Sequence, residues 1–387
     1  MPNFTPFSIF FKLFLSKLLL NIHGRVFVPV GLEMTRKEIL QFIAMSGMTR
    51  RLVRCLSWMS RPDWHRRMIS RRHRYDPKPE LSIFQDRYVR SLIYDTQTSI
   101  LAVGWDSGNL RIIFPDGTLI TQRMPRSVTN IAILTPNLIV VCCYEIYSFL
   151  LQKDGKIFKQ VGIFLHEDLS QKHSVDVCCY HPKTGTIATG DTSGIIKLWH
   201  LDIVSDHPIF HCDLNGHTQK ITQLLFHLEL NILVSIGNDG KAIFWILNED
   251  GTGILFSTVI QMKIRATSVA FVPGTNMIVF GFRDRKIEFW KYQINFDNHH
   301  VVAACLLEKF FDDENIVWIK SISFHSRFPV ILVGTGALDD NKTVPAYLLY
   351  WGTDSSGVLF VNVLQTLRRF PRYSTLIWAR NQLVVGN

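Results

Sequence analysis

The stretch Ile232–Trp245 reads ILVSIGNDGKAIFW. ILVSI is a continuous apolar run, Asn-Asp-Gly supplies residues that tolerate a tight turn, and AIFW resumes an extended, aromatic-ended run. The same block recurs on both sides. ILAVGWDSGNLRII fills Ile100–Ile113, IATGDTSGIIKLW fills Ile187–Trp199 and IVFGFRDRKIEFW fills Ile278–Trp290. The closing Trp199, Trp245 and Trp290 are 46 and 45 residues apart, and Ile113 precedes Trp199 by 86, close to two periods. The unit between them is legible as LIVVCC (138–143) and IYSFLL (146–151). A later unit runs from VILVGTG (330–336) to YLLYW (347–351), delayed by the polar Leu338–Pro345.

A further apolar run precedes each block: VDVCCYHP (175–182), ITQLLFH (221–227), TSVAFVP (267–273) and SISFH (321–325). Four short strands in every forty-odd residues are the signature of a propeller. The units resemble WD repeats over roughly residues 80–387. His181-Pro182 and Val272-Pro273 stand where that family commonly has Pro, and Gly216-His217, Ser235, Asp239 and Trp245 occupy its tetrad positions. The resemblance implies that His217, Ser235, Asp239 and Trp245 form a buried structural relay from carboxylate to imidazole to hydroxyl to indole. Ser, His and Asp together mimic a hydrolase triad, but a triad needs an exposed hydroxyl and an oxyanion hole. Departures are plain. The residues after the closing aromatics are His200, Ile246, Lys291 and Gly352 rather than Asp, Ser193 replaces the turn Asp, and Asp284 with Trp290 keeps half the set.

Unit starts near Val89, Val128, Val175, Ile221, Thr267 and Ile319 are followed by STLIW (374–378) and LVVG (383–386). The expected fold is therefore all-β, a WD-repeat β-propeller of seven blades with an incomplete last blade, preceded by a short helical or disordered basic arm. Leu81–Phe84 could supply an outer strand to the last blade. A remaining gap implies either a chain that naturally continues past Asn387 or a filler segment such as Val26–Val30.

Charge separates the domains. The chain carries a net +10, yet residues 1–79 hold 15 Lys/Arg against 4 Asp/Glu, and the rest holds 27 against 28. Nine arginines fall between Arg50 and Arg74 with Asp63 as the sole acid. Arg66, Arg67, Arg71, Arg72 and Arg74 are the candidate contacts for an acidic partner, RNA or an anionic membrane; the alternative is a solvated tail. Residues 1–33 form an apolar basic leader in which Lys12 and Lys17 interrupt the run, making it a poor spanning helix. It reads as a presequence, a signal anchor or, the preferred reading, a stretch ahead of a true start at Met34. Residues 34–79 are a helical arm and linker. Thr35 and Glu38 have capping-box spacing, and Asp76-Pro77-Lys78-Pro79 ends the helix. Glu38-Ile39-Leu40 and the apolar residues up to Trp64 resemble an F-box, though Lys37 stands where that family has Pro.

Hydrophobic residues make up 47% and charged residues 19%, which excludes extensive disorder. Seven cysteines show no zinc spacing, and Cys142–Cys143 and Cys178–Cys179 read as buried thiols in a reducing compartment. His299-His300 lack a nearby third metal ligand, and Gly334-x-Gly336 is not at a strand-to-helix junction. Asp312-Asp313-Glu314 reads as a solvent-facing acidic patch. No catalytic residue, metal, cofactor or small-molecule substrate is indicated. The function expected is a non-enzymatic protein-interaction scaffold or adaptor, cytoplasmic, with nuclear or membrane-associated placement as the alternative. The alternatives in function are an F-box-like substrate-recognition subunit of a ubiquitin ligase and an RNA-associated assembly factor.

Overall fold

The computed structural model describes residues 89–386 except 96–97, 136–137, 144, 152–157, 165–173, 202–207, 228, 326–328, 339–342, 355, 372–374 and 380–381. The leader, the arginine arm, the F-box-like segment, Val26–Val30 and Leu81–Phe84 lie outside the described residues. The repeats form one compact unit, Pro79–Gly352 with Leu359–Asn387.

Each repeat folds as a four-stranded antiparallel meander. Blade 1 is β1 (Val89–Tyr94), β2 (Leu101–Trp105), β3 (Asn109–Ile113) and β4 (Leu119–Arg123). Blade 2 is β5 (Asn130–Thr135), β6 (Leu138–Cys143), β7 (Glu145–Leu151) and β8 (Phe158–Phe164). Blade 3 is β9 (Val175–His181), β10 (Thr186–Asp191), β11 (Ile196–Leu201) and β12 (Pro208–Leu214). Blade 4 is β13 (Ile221–Phe226), β14 (Ile232–Gly237), β15 (Lys241–Leu247) and β16 (Ile254–Gln261). Blade 5 is β17 (Ala266–Phe271), β18 (Met277–Phe282), β19 (Lys286–Asn295) and β20 (His300–Phe310). Blade 6 is β21 (Trp318–Phe324), β22 (Val330–Gly336), β23 (Thr343–Thr353) and β24 (Leu359–Pro371).

Six four-stranded blades form, where seven with an incomplete last one were expected. The last sheet has two strands, β25 (Thr375–Ala379) and β26 (Gln382–Gly386), because the described residues supply it no more. β25 nonetheless packs against both β21 and β1, so the inner strands β1, β5, β9, β13, β17, β21 and β25 follow one another around a closed ring. Ile377 of β25 joins the cluster of Val89, Leu92, Val103 and Trp105 in blade 1.

Burial explains the apolar runs. Every residue of β10 and of β14 is buried, since a blade's second strand is covered on both faces by its neighbours. The outermost β16 is mostly exposed and mixes in Ser, Thr and Gln. The clusters accordingly lie between blades. One joins Phe244 of blade 4 to Phe280 and Phe282 of blade 5, and another joins Val177 and Leu198 of blade 3 to Ile221 and Trp245 of blade 4.

Close approach sets the glycines at the ends of the second strands. A Cβ on Gly190 would lie 2.9 Å from both Val177 Cγ2 and Ile221 Cβ, and one on Gly281 2.7 Å from Ile319 Cβ. In both, the space is closed by the inner strand of the same blade, through Val177 or Ser268, and by the inner strand of the next, through Ile221 or Ile319. Gly190→Ala is therefore expected to destabilise by about 1–3 kcal/mol through overpacking, read as a lowered midpoint in denaturant; an unchanged midpoint would show that the blades are not tightly wedged there.

Candidate functional site: the mouth of the channel

The seven inner strands enclose a channel of about 1170 Å³. At the end where these strands begin, the pairing of first and second strands slips by one residue in five blades. The skipped residues are Arg90, Asp176, Thr222, Thr267 and Lys320. A bulge frees its extra residue from the ladder and re-aims it, and all five line the channel.

The bulged residues divide by chemistry. Thr222 Oγ1 donates to the Ile236 carbonyl of its own blade at 3.0 Å and Thr267 Oγ1 to the Ile319 carbonyl of the next blade at 2.6 Å, so these hydroxyls serve backbone carbonyls. The other three bring charge. Arg90 Nε donates to Asp106 Oδ1 at 2.8 Å, and Asp106 also accepts from Ser127 Oγ at 3.0 Å. Asp176 accepts from Lys220 of the next blade and from Ser174. Lys320 is only partly accessible. Burial, reinforced by the like charge of Arg90, pushes its amine down to about 7.

Beneath this surface, blade 4 brings His217, Ser235, Asp239 and Trp245 together. His217 Nδ1–H donates to Asp239 Oδ1 at 3.0 Å, Ser235 Oγ–H to His217 Nε2 at 2.8 Å, and Trp245 Nε1–H to Ser235 Oγ at 2.9 Å. Asp239 also accepts the Thr218 and Lys241 amides, tying the β12–β13 loop to the β14–β15 turn. Ser235 is wholly buried and its hydroxyl is committed between imidazole and indole. It cannot meet a substrate. Burial lowers the pKa of His217, outweighing the attraction of Asp239. Burial pushes Asp239 up, but hydrogen bonds from His217 and the Thr218 and Lys241 amides together hold it below the usual carboxylate range.

Neighbouring blades rewire the relay. In blade 3, Trp199 Nε1 donates to Thr189 Oγ1 at 2.8 Å, and Asp191 Oδ1, rather than Ser193, binds the Gly194 and Ile195 amides of the turn. In blade 5 the retained Asp284 and Trp290 are not linked. Trp290 Nε1 donates to Glu288 Oε2 at 2.8 Å, while Lys286 Nζ lies 2.6 Å from Glu288 and 3.7 Å from Asp284. Phe280 fills the strand position that Ser235 holds in blade 4, which leaves no hydroxyl to complete the relay.

The other sequence candidates disperse. His299 sits in a turn at φ 49° and His300 opens β20; no group able to hold a metal occurs among the described residues. Gly334 and Gly336 lie within β22. Asp312 and Glu314 are exposed, with Asp313 half-buried between them. Cys142, Cys143 and Cys178 are buried free thiols. Arg66, Arg67, Arg71, Arg72 and Arg74 lie outside the described residues. The bulged residues went unread in the sequence, although a polar residue directly after the first apolar residues of each inner strand recurs as VRS, VDV, ITQ, ATS and IKS.

Two outcomes follow from this geometry. His217→Ala or Asp239→Ala should cost about 2–4 kcal/mol by orphaning buried partners. Because the folded state favours neutral His217, its contribution is complete above the unfolded pKa of about 6.5 and fades as pH falls. The gap between parent and His217→Ala should thus narrow from pH 7 to pH 5; a constant gap in denaturant melts would contradict the linkage. For Lys320 the folded state binds the proton less tightly than the unfolded chain. Its charge is a full penalty below pH 7 and none once pH exceeds the ordinary lysine value of about 10.4. Lys320→Met should raise the unfolding midpoint at pH 6–7, with the gain vanishing towards pH 10. An equal gain at both pH values would remove the electrostatic cause.

No family model matches the chain. Nuclear distribution protein nudF 1 of Talaromyces marneffei is 24% identical over 129 residues, which are 33% of this chain and 27% of that protein. The human lysosomal-trafficking regulator is 32% identical over 84 residues, 20% of this chain and 2% of that protein. The chain thus spans about a quarter or less of these relatives. Among solved structures, a chain of the crystal structure of the mitotic checkpoint complex aligns with a TM-score of 0.53 at 17% identity, covering 74% of this chain and 78% of that one. With its repeat spacing, its ring of seven inner strands and the relay of blade 4, the chain has a WD-repeat-like β-propeller fold.

Proposed function

We propose that this chain is a non-enzymatic scaffold that binds a protein partner across the channel mouth. The observation that carries the reading is the set of bulges aiming Arg90, Asp176 and Lys320 into one opening. Lys320 keeps an amine there at a cost to stability, and a perturbed titratable group in a concave site marks a functional candidate. A rigid ring that displays loop-end side chains is suited to recognition rather than turnover. The solved neighbour is a chain of the mitotic checkpoint complex. The basic arm adds an electrostatic contribution to the same partner or to an acidic surface, and the buried free thiols favour a cytoplasmic location.

Affinity purification of the full chain with mass spectrometry tests this. A protein should co-purify with the parent and fall at least tenfold in the folded Arg90→Glu/Lys320→Glu variant. Substituting Arg66, Arg67, Arg71, Arg72 and Arg74 by Ser should reduce recovery in a salt-dependent way only. Equal recovery by parent and channel variant would contradict the site.

A further inference from the structure

Blade 5 presents a second feature at the same end of the propeller. Lys263 and Arg265 lie between β16 and β17, and Arg283 and Arg285 flank Asp284 in the β18–β19 turn. Lys263 and Arg283 are exposed and both other arginines half-buried. Among the described residues no carboxylate lies within ion-pair distance of any of the four. The nearest acid in sequence, Asp284, turns towards Lys286 instead. Arg265 and Arg283 are close enough that the charge of Arg283, after burial, lowers the pKa of Arg265.

Backbone strain marks the same turn. Blades 1, 3 and 4 place Gly108, Gly194 and Gly240 at its third position, with φ of 85°, 100° and 76°. Blade 5 places Arg285 there at φ 66°. A side chain in the left-handed region is strained, and strain of this kind persists where it serves a site. Glycine would hold the turn better, yet would remove a guanidinium from a cluster of like charges.

We propose that the β18–β19 turn of blade 5, with Arg265, is a docking site for a short carboxylate-rich peptide segment, which deepens the scaffold reading and rests on it. Arginine forks suit paired carboxylate oxygens. The neighbourhood selects a short segment over an extended polyanion. The Phe311 amide donates to the Arg285 carbonyl at 3.0 Å, so the loop carrying Asp312, Asp313 and Glu314 adjoins the basic turn. An RNA backbone or an anionic membrane crossing this face would meet those acids. A segment with acidic residues followed by basic ones would match both.

The test is fluorescence anisotropy of a labelled hexaglutamate peptide with the full chain at low salt. Arg265→Ser/Arg283→Ser/Arg285→Ser should weaken binding at least tenfold and flatten its salt dependence. The arm variant with Arg66, Arg67, Arg71, Arg72 and Arg74 changed to Ser should lose only a salt-dependent share of the binding and keep the share that depends on Arg265, Arg283 and Arg285. Arg285→Gly guards against misfolding: it should unfold at or above the parent's midpoint and still bind the peptide more weakly. Undiminished binding by the triple variant, loss of binding in the arm variant alone, or tighter binding of a uridine decamer through the same three arginines would each overturn the proposal. So would a dimer that disappears in the triple variant, since a second copy would then be the occupant. If the peptide result fails while partner recovery still depends on Arg90 and Lys320, the acidic site alone is lost; if that dependence fails, the scaffold reading goes too.

Discussion

A blade that is apolar on both faces cannot stand alone, and the closed ring follows from that constraint. β10 and β14 are buried along their whole length, so each blade needs a neighbour on either side. The clusters that hold the molecule together are interblade wedges, such as Phe244 against Phe280 and Phe282. Burial at roughly 25 cal/mol per Å² of apolar surface rewards closing the ring over leaving a face in water. The slender β25–β26 sheet shows how strong that demand is: two strands suffice to bring Ile377 against Val89 and Trp105.

Because packing between blades supplies the stability, the hydrogen-bonded relay is free to vary. Blade 4 keeps all four members, blade 3 keeps Trp199 on Thr189, and blade 5 substitutes a buried Lys286–Glu288 pair. The bulges have a different logic. A ladder slip costs pairing, but it delivers one side chain per blade into a shared opening. Where that side chain is Thr it caps a carbonyl; where it is Arg, Asp or Lys it creates charge at the mouth. Residues that serve the backbone and residues that bring charge thus occupy equivalent positions in different blades.

This division explains what the sequence disclosed. The Trp199–Trp245–Trp290 spacing and the alternation of apolar runs with Gly and Asp turns are local, and they made the architecture and the blade 4 relay legible. Blade count was harder, since the closing sheet offers two strands where a full period would offer four. Register was illegible: whether Arg90 or Lys320 is skipped depends on the partner strand, not on its own neighbours. Asp284 and Trp290 keep half the set in sequence, yet a different carboxylate serves the indole. Glu288 and Trp290 are two apart on β19 and share a face, so the carboxylate reaches the indole first. Arg285 carried a visible signal, an arginine where its sister turns have glycine, whose meaning needed the φ angle.

The central claim is that the channel mouth is where this protein meets its partner. Hydrogen exchange of the full chain, alone and with the partner recovered from cells, tests it most directly. The account predicts added protection at the beginnings of β1, β9 and β21 and in the adjoining β2–β3 and β18–β19 turns. Protection confined to the outer strands β16, β20 and β24, with the mouth unchanged, would contradict it.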